Sequence, residues 1–498
     1  MSGSSPLYAA IDLGSNSFHL LIVRNVEGAV RAVCRIKRKV RLASGLNTDN
    51  MLSHEAMQRG WNCLRLFADQ LENIPDANIR IVATATLRFA VNADVFVRTG
   101  EQILKHKINV ISGETESRTI YHGVMSTSGI QGRMLVVDIG GASTEMILGN
   151  GPEIHVIHSL PMGCVIWQTR YFGDGLITRD RYDIAIRAAS DVIAPYASEY
   201  LHYGFDCCLG ASGTVQALHE MVVSGGHNEK VTLDYLRKLQ EVTVKQESIS
   251  GLHILGLTQE RLAVLPGGIA ILTAIYQAFN VKEISLAGGA LREGIIYSML
   301  GDFSSGNTKV RTVDSVIARY QMDREQAQRI MTVAMSALGD VKDSWGLNDD
   351  IAISLYKAAA LLSELGLCIE YRRAPQHAAY IINNIDMPGF NIDQKRLLAA
   401  LLCNERDAIN TDVLKLQTVV SYETACKLVR LLRIAFIICV GRTDLVLGQC
   451  FRFQAENPYK LTVTLDRDLK APHYLVTSLL QEEAEIEKNQ GWELEVSI

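Results

Sequence analysis

The feature that most constrains this chain is an internal repeat. Ala9-Ala10-Ile11-Asp12-Leu13-Gly14-Ser15-Asn16-Ser17 lines up with Val136-Val137-Asp138-Ile139-Gly140-Gly141-Ala142-Ser143 when Asp12 is set on Asp138. In each copy an apolar run delivers an aspartate, glycine and small polar residues make a tight turn, and a second apolar run returns. That is the pattern of a β-hairpin with a Gly/Ser-rich tip. Two similar domains that face each other are implied.

The surroundings of the repeat fit an α/β chain. Strand-like runs at 8–11, 18–23, 79–83, 134–138 and 283–286 alternate with amphipathic helical stretches such as 53–71. A polar, glycine-rich stretch at 301–308 marks a boundary, and beyond it 351–367 and 423–440 carry apolar residues at helical spacing. Alternation returns at Phe451 and Phe453, at Leu461, Val463 and Leu465, and at Trp492, Leu494, Val496 and Ile498, which predicts a small terminal β appendage. A chain of 498 residues has room for about three domains. The predicted divisions are 1–124, 125–303 and 304–498.

Charge narrows the function. Lys and Arg number 49 against 54 Asp and Glu, a net charge of -5, so no bulk positive field draws nucleic acid or a membrane surface. An anionic ligand must be met by a local site. The first residues lack the basic region of a signal peptide, and apolar runs such as 431–440 fall short of the roughly 20 residues of a membrane span, so a soluble, cytoplasmic protein is expected. Ten cysteines are scattered without a C-x-x-C pair and read as reduced thiols rather than disulfides or a zinc site.

The turns suggest what the local site is. Small residues let main-chain N–H groups approach oxygens, so the tips at Ser15, Asn16 and Ser17 and at Gly140, Gly141 and Ser143 are candidates for clamping a phosphate chain. Asp12 and Asp138 are candidates to hold Mg²⁺, which takes carboxylates, waters and substrate phosphates, with Glu145 as an outer-shell partner. Two further glycine motifs, 209–215 with Gly213 and Thr214, and 286–294, run from a strand into a helix. Such helix N-termini bind anions, or their glycines simply permit close packing. A Walker loop and a dinucleotide G-x-G-x-x-G in its proper setting are absent, which removes P-loop and Rossmann readings. The basic run Arg35, Lys37, Arg38, Lys39 and Arg41 is either a local anion patch or a charged edge strand. His19 reads as structural.

Taken together, Asp12-Leu-Gly-Ser-Asn-Ser-Phe-His19, Asp138-Ile-Gly-Gly-Ala-Ser-Thr-Glu145, Gly210-Ala-Ser-Gly-Thr214 and Gly288-Gly-Ala-Leu-Arg-Glu-Gly294 resemble the exopolyphosphatase / guanosine pentaphosphate phosphohydrolase family. The resemblance runs over nearly the whole chain, and segments 35–43, 82–88 and 136–144 look more like its guanosine pentaphosphate branch. It implies two duplicated actin-like domains of the sugar kinase and Hsp70 superfamily, then a mainly α domain resembling the HD metal-phosphohydrolases. It implies a Mg²⁺-dependent phosphohydrolase that removes the terminal 5′-phosphate of guanosine pentaphosphate in the stringent response, with inorganic polyphosphate as an accompanying substrate, and a homodimer. By motif match, Glu116 in Ile111-Ser-Gly-Glu-Thr-Glu-Ser-Arg118 is the carboxylate that positions water, and Arg88 contacts phosphate. Thr115 stands where many relatives are acidic. In the third domain Ser363 replaces a histidine, and serine is a poor metal ligand, so an HD-like scaffold without metal chemistry is expected, with His377 a packed or surface residue. Two rival readings are a small-molecule kinase of the same superfamily and a non-catalytic sensor of guanosine tetraphosphate.

Overall fold

The computed structural model describes residues 6–26, 29–130, 132–224, 230–254, 257–301, 308–443, 451–465 and 474–497. The chain forms two compact units, Met1–Asn25 with Val30–Thr308, and Val26–Ala29 with Lys309–Ile498. Most of the predicted boundary stretch, 302–307, lies outside the described residues.

The first unit is built on two sheets. Strands β1 (Leu7–Leu13), β2 (Ser17–Val26), β3 (Ala29–Lys39), β4 (Ile79–Ala83) and β5 (Asn109–Val110) form one, in the order β3-β2-β1-β4-β5. Strands β6 (Arg133–Ile139), β7 (Thr144–Asn150), β8 (Glu153–Leu160), β9 (Cys207–Gly210), β10 (Val231–Thr232) and β11 (Glu283–Leu286) form the other, in the order β10-β11-β9-β6-β7-β8. Read from its far edge, β8-β7-β6-β9-β11 repeats the first sheet, with β10 added at the end. The pairings repeat too, β1–β2 and β6–β7 being antiparallel and β1–β4 and β6–β9 parallel. The sequence repeat is therefore a repeat of topology.

Side chains alternate across a strand, and this alternation decides where the aspartates go. On β1, Ala9, Ile11 and Leu13 enter the core of the first lobe, whereas Ala10 enters a central core shared by both sheets. On β6, Leu135, Val137 and Ile139 enter the core of the second lobe, and Met134 and Val136 join the central one. Asp12 and Asp138 continue the central rows. The cross-strand register sets His19 opposite Asp12 and Glu145 opposite Asp138 on the same faces. Helices Gly113–Ser128 and Leu291–Met299 contribute Ile120, Val124, Leu291 and Ile295 to this central layer. They approach closely because both carry glycine there: a methyl on Gly294 would lie 1.9 Å from the Thr119 carbonyl oxygen, and one on Gly123 would lie 2.1 Å from that of Ala290.

The predicted helix at 53–71 is His54–Leu71, capped by Ser53, whose hydroxyl accepts from the Ala56 amide, and it buries Ala56, Met57, Gly60, Trp61, Leu64, Phe67 and Leu71 on one face.

The second unit is helical around one core, with Arg324–Trp345, Asp350–Leu362 and Tyr422–Ile438 among its helices. Asp350–Cys368, which includes the stretch of helical spacing expected at 351–367, is long and apolar enough to cross a membrane by length and composition. Here it supplies Leu355, Tyr356, Ala359, Leu362 and Leu365 to that core, and its helix gives way to a 3₁₀ turn at Leu365–Cys368. The terminal strands β12 (Phe451–Ala455), β13 (Lys460–Leu465) and β14 (Glu493–Ser497) form the expected small sheet. Because β13 and β14 are parallel, a crossover must join them, and the helix Tyr474–Lys488 lies on that connection. Alternation alone does not foretell that helix.

Candidate functional site

Both hairpin tips turn over equivalent residues, 14–17 and 140–143. Glycine is needed at the first position of each. A methyl on Gly14 would lie 2.9 Å from the Ser17 carbonyl oxygen, and one on Gly140 would lie 3.0 Å from that of Ser143. The tips abut, since a methyl on Gly141 would sit 3.1 Å from Ser15 Cβ and 3.3 Å from the Asn16 nitrogen. Their carbonyls are engaged from outside. Asn16 accepts from the amides of Val40 and Arg41 at 3.2 and 2.8 Å, and Ser15 from that of Ala43 at 2.9 Å. On the other tip Gly140 accepts from the Cys164 amide at 2.9 Å and Gly141 from that of Val165 at 3.0 Å. The helix Cys164–Phe172 thus begins against the second tip, and Gly163 permits the approach, for a methyl there would meet the Ala142 nitrogen at 2.4 Å. Among the described residues the amides of Ser15, Asn16, Gly141 and Ala142 donate to no main-chain carbonyl.

A cavity of about 380 Å³ opens at the tips. It is lined by Asp12, Ser15, Asn16, Ser17, Glu116, Asp138, Gly140, Gly141, Ser143, Glu145, Gly213 and Thr214, which are the predicted site residues with the exception of Arg88. Gly213 has nothing within 4 Å of a would-be methyl and faces open space, whereas Gly210 is packed on Val215. One motif therefore holds both kinds of glycine.

Glu116 reaches the cavity from the first turn of Gly113–Ser128. Ser112 caps this helix by accepting from the Thr115 amide at 3.1 Å, and the Thr115 hydroxyl lies 2.9 Å from the Ser112 hydroxyl. Thr115, the departure noted in the sequence, thus supports the cap. Arg88, on the short helix Ala85–Phe89, donates from one Nη1 to Glu116 Oε2 at 3.0 Å and to the Ile111 carbonyl at 2.9 Å. It stands behind Glu116, lining a second cavity on that side.

The electrostatics are those of crowded acids. Burial pushes the Asp138 carboxyl up to about 8, with Glu145 and Asp12 adding repulsion and Arg292 opposing it. Burial likewise raises Asp12 to about 6, against the pull of Arg292. Glu116 is raised well above the usual carboxylate range by burial and by Glu145, in spite of Arg88. Glu145 is held by Ser159, whose hydroxyl donates to Oε1 at 2.9 Å. Asp138 and Asp12 keep some solvent contact, while Glu145 is 1% exposed. Asp12 Oδ1 is buried without a hydrogen-bond partner. That donor set fits Mg²⁺, which accepts one or two carboxylates and completes its shell with water and phosphate. Among the described residues no three His, Cys, Asp or Glu side chains form a cage of protein ligands, and none is required for such an ion.

Cations face these acids. Lys37 and Lys39 from β3, Arg261 and Arg292 line the same cavity. Lys37 is lowered by burial and by Arg261, Lys39 and Arg292, which shows how closely the positive charges converge. Of the basic run only Lys37 and Lys39 line this cavity, and β3 is also the edge strand of its sheet. Arg292 lies in a quoted motif but was not singled out, and Arg261 carries no local signal at all. His19 lines the cavity too, held neutral with its titration near 2 by burial and by Arg292 and Lys37. Its place opposite Asp12, matching Glu145 opposite Asp138, could have marked it.

Among the described residues, the second unit holds no group of three or more metal-ligating side chains. Ser363 is buried and donates to the Ala360 carbonyl at 3.1 Å, and His377 lies 3.4 Å from Glu370.

Residues 21–303 match the model of the Ppx/GppA phosphatase family, and residues 308–484 match that of Ppx/GppA phosphatase, domain III. Guanosine-5'-triphosphate,3'-diphosphate pyrophosphatase of Aeromonas salmonicida is 49% identical over 489 residues, covering 98% of both chains. The protein of that name from Aliivibrio fischeri (strain MJ11) is 46% identical over 489 residues, covering 98% of this chain and 97% of that one. Among solved structures, an exopolyphosphatase from Cytophaga hutchinsonii superposes with a TM-score of 0.56 at 24% identity, over 60% of this chain and 99% of that one, which establishes the shared fold. The duplicated hairpins, the acids between them and these matches agree: the chain belongs to the Ppx/GppA phosphatase family.

Proposed function

We propose that this protein hydrolyses the terminal 5′-phosphate of guanosine pentaphosphate, giving guanosine tetraphosphate and orthophosphate. One observation carries the reading: near-half identity to proteins of that named activity over 98% of the chain, on a cavity that joins a buried carboxylate to two abutting amide turns.

The chemistry follows from the geometry. The unengaged tip amides bind the oxygens of the phosphate chain, and Lys37, Lys39, Arg261 and Arg292 balance its charge. Glu116 orients a water and takes its proton as the water oxygen bonds to the terminal phosphorus and the bridging P–O bond breaks. Burial and the nearby Glu145 raise the proton affinity of Glu116, which makes its carboxylate a stronger base than an exposed one. Arg88 fixes the Glu116 carboxylate, and Ser159 fixes that of Glu145. Asp138 and Asp12 would hold Mg²⁺, with Glu145 beside it, and the ion would supply charge neutralisation at the bridging and terminal oxygens. Inorganic polyphosphate has the same repeating phosphoanhydride and is the second substrate to test.

The deciding experiment incubates the purified protein with guanosine pentaphosphate or polyphosphate and Mg²⁺ and measures orthophosphate and nucleotide products. Stoichiometric tetraphosphate and orthophosphate support the proposal. Transfer of label from ATP to a small acceptor would establish a kinase instead, and tight nucleotide binding without turnover would establish a sensor.

A further inference from the structure

We propose that orthophosphate leaves through the second cavity, behind the catalytic carboxylates, rather than past the nucleotide; this rests on the hydrolytic reading above. That cavity, about 540 Å³, is lined by Arg88, Gly113, Glu114, Ser143, Ile157 and Ser159 among others. Ser143 lines both cavities. Elsewhere the partition is a pair of side-chain contacts. Glu116 faces the first cavity and meets Arg88 of the second at 3.0 Å; Glu145 faces the first and accepts from Ser159 of the second at 2.9 Å. Gly113 lets the start of its helix pack directly on Ser159 of this wall, since a methyl there would lie 2.6 Å from Ser159 Cβ and Oγ and 3.6 Å from Arg88 Nη2. The route opens when the Arg88–Glu116 and Ser159–Glu145 contacts part.

Hydrolysis itself loosens the partition. When Glu116 accepts the water proton its carboxyl becomes neutral, and the Arg88 ion pair loses its charge at the moment a phosphate anion appears beside it. The guanidinium then has a better partner in the phosphate. The nucleotide product still fills the space between the tips, so the front is blocked. Exit behind Glu116 frees orthophosphate before the nucleotide dissociates.

The test separates cleavage from release. Excess enzyme is mixed with guanosine pentaphosphate and Mg²⁺, cleavage is followed by rapid quench and free orthophosphate by a fluorescent phosphate-binding reporter. Two variants outside the binding and catalytic residues alter the second cavity: Ile157→Trp narrows it, and Glu114→Lys makes its wall more attractive to an anion. Ile157→Trp should cleave at the wild-type rate but release phosphate about ten-fold or more later. Glu114→Lys should change the delay between cleavage and release while cleavage stays as in wild type. An unchanged delay in both variants overturns the proposal. If Ile157→Trp impairs folding and cleaves poorly, the exposed Glu114→Lys decides alone. Wild-type protein that cleaves nothing would sink the hydrolytic reading, and this inference with it.

Discussion

Two regions of this molecule bury charge, and they do so in opposite ways. In the helical unit Arg433 grips Glu483 with two contacts of 2.6 Å and gives its other donors to the carbonyls of Asn404 and Asp407 at 2.9 Å. Arg430 pairs with Glu487 at 2.8 Å and packs against the rings of Trp345 and Trp492, 5.1 and 5.4 Å from their centres. Each arginine here has its own glutamate, although Glu487 Oε1 has no hydrogen-bond partner among the described residues. Between the hairpins, Asp12, Asp138, Glu145 and Glu116 crowd against one another and raise one another's proton affinity. Among the described residues only Glu116 of the four is in a direct ion pair, to Arg88, and Asp12 Oδ1 lacks a partner. A buried charge without its complement costs free energy, so a fold keeps one where a ligand completes it. The paired set holds the terminal sheet and helix to their core. The crowded set lines the cavity at the hairpin tips.

The comparison can be broken most severely at Glu116. Glu116→Gln keeps the shape and removes the base, and should lower kcat by about 10²- to 10⁴-fold with KM nearly unchanged; retention of most of the turnover would falsify its assignment. Glu483→Gln attacks the other region. It leaves Arg433 buried without a counter-charge and should cost about 3–5 kcal/mol in denaturant unfolding, with turnover per folded molecule intact. A smaller effect of opposite sign is expected at Asp138. Its folded-state affinity for a proton is raised from an ordinary 3.8 to about 8, so between these values the folded state holds a proton that the unfolded chain has released. Metal-free protein therefore loses stability as pH rises from about 4 to about 8. Asp138→Asn should flatten that slope and raise the stability of metal-free protein by roughly 2 kcal/mol above pH 8, a figure discounted for solvent at the cavity mouth. Added Mg²⁺ should stabilise the wild type at that pH and leave the variant almost unmoved. Lys39→Ala should do least, raising KM a few-fold at low salt and less at high salt, because its charge is one of several and is partly screened.

Legibility in the sequence followed range. The hairpins could be read because an aspartate entering a Gly/Ser turn between apolar runs is a local signal, and the duplication doubled it. The side of each strand that the aspartates share came only with the structure, which shows which face of β1 and β6 enters which core. Glu116 could be found only through family resemblance, since a carboxylate in the first turn of a helix is usually there for the helix dipole. The place of Arg88 was not legible: its partner is 28 residues away, and an arginine after a strand looks the same whether it meets phosphate, solvent or Glu116. Arg261 lies in an unremarkable polar stretch. The buried Arg433–Glu483 pair, 50 residues apart, was hidden in what reads as an ordinary amphipathic helix.

What the sequence by itself determined was the two hairpins, the strongly patterned strands and helices, and the residue types at the tips, because turn preference and side-chain alternation act over a few residues. What only the tertiary structure decided was convergence. Two hairpins more than a hundred residues apart abut through a glycine, four carboxylates meet, and Glu116 becomes the wall between two cavities. Distance between such groups is set by the packing of both sheets against a common helical layer, and no local pattern encodes it.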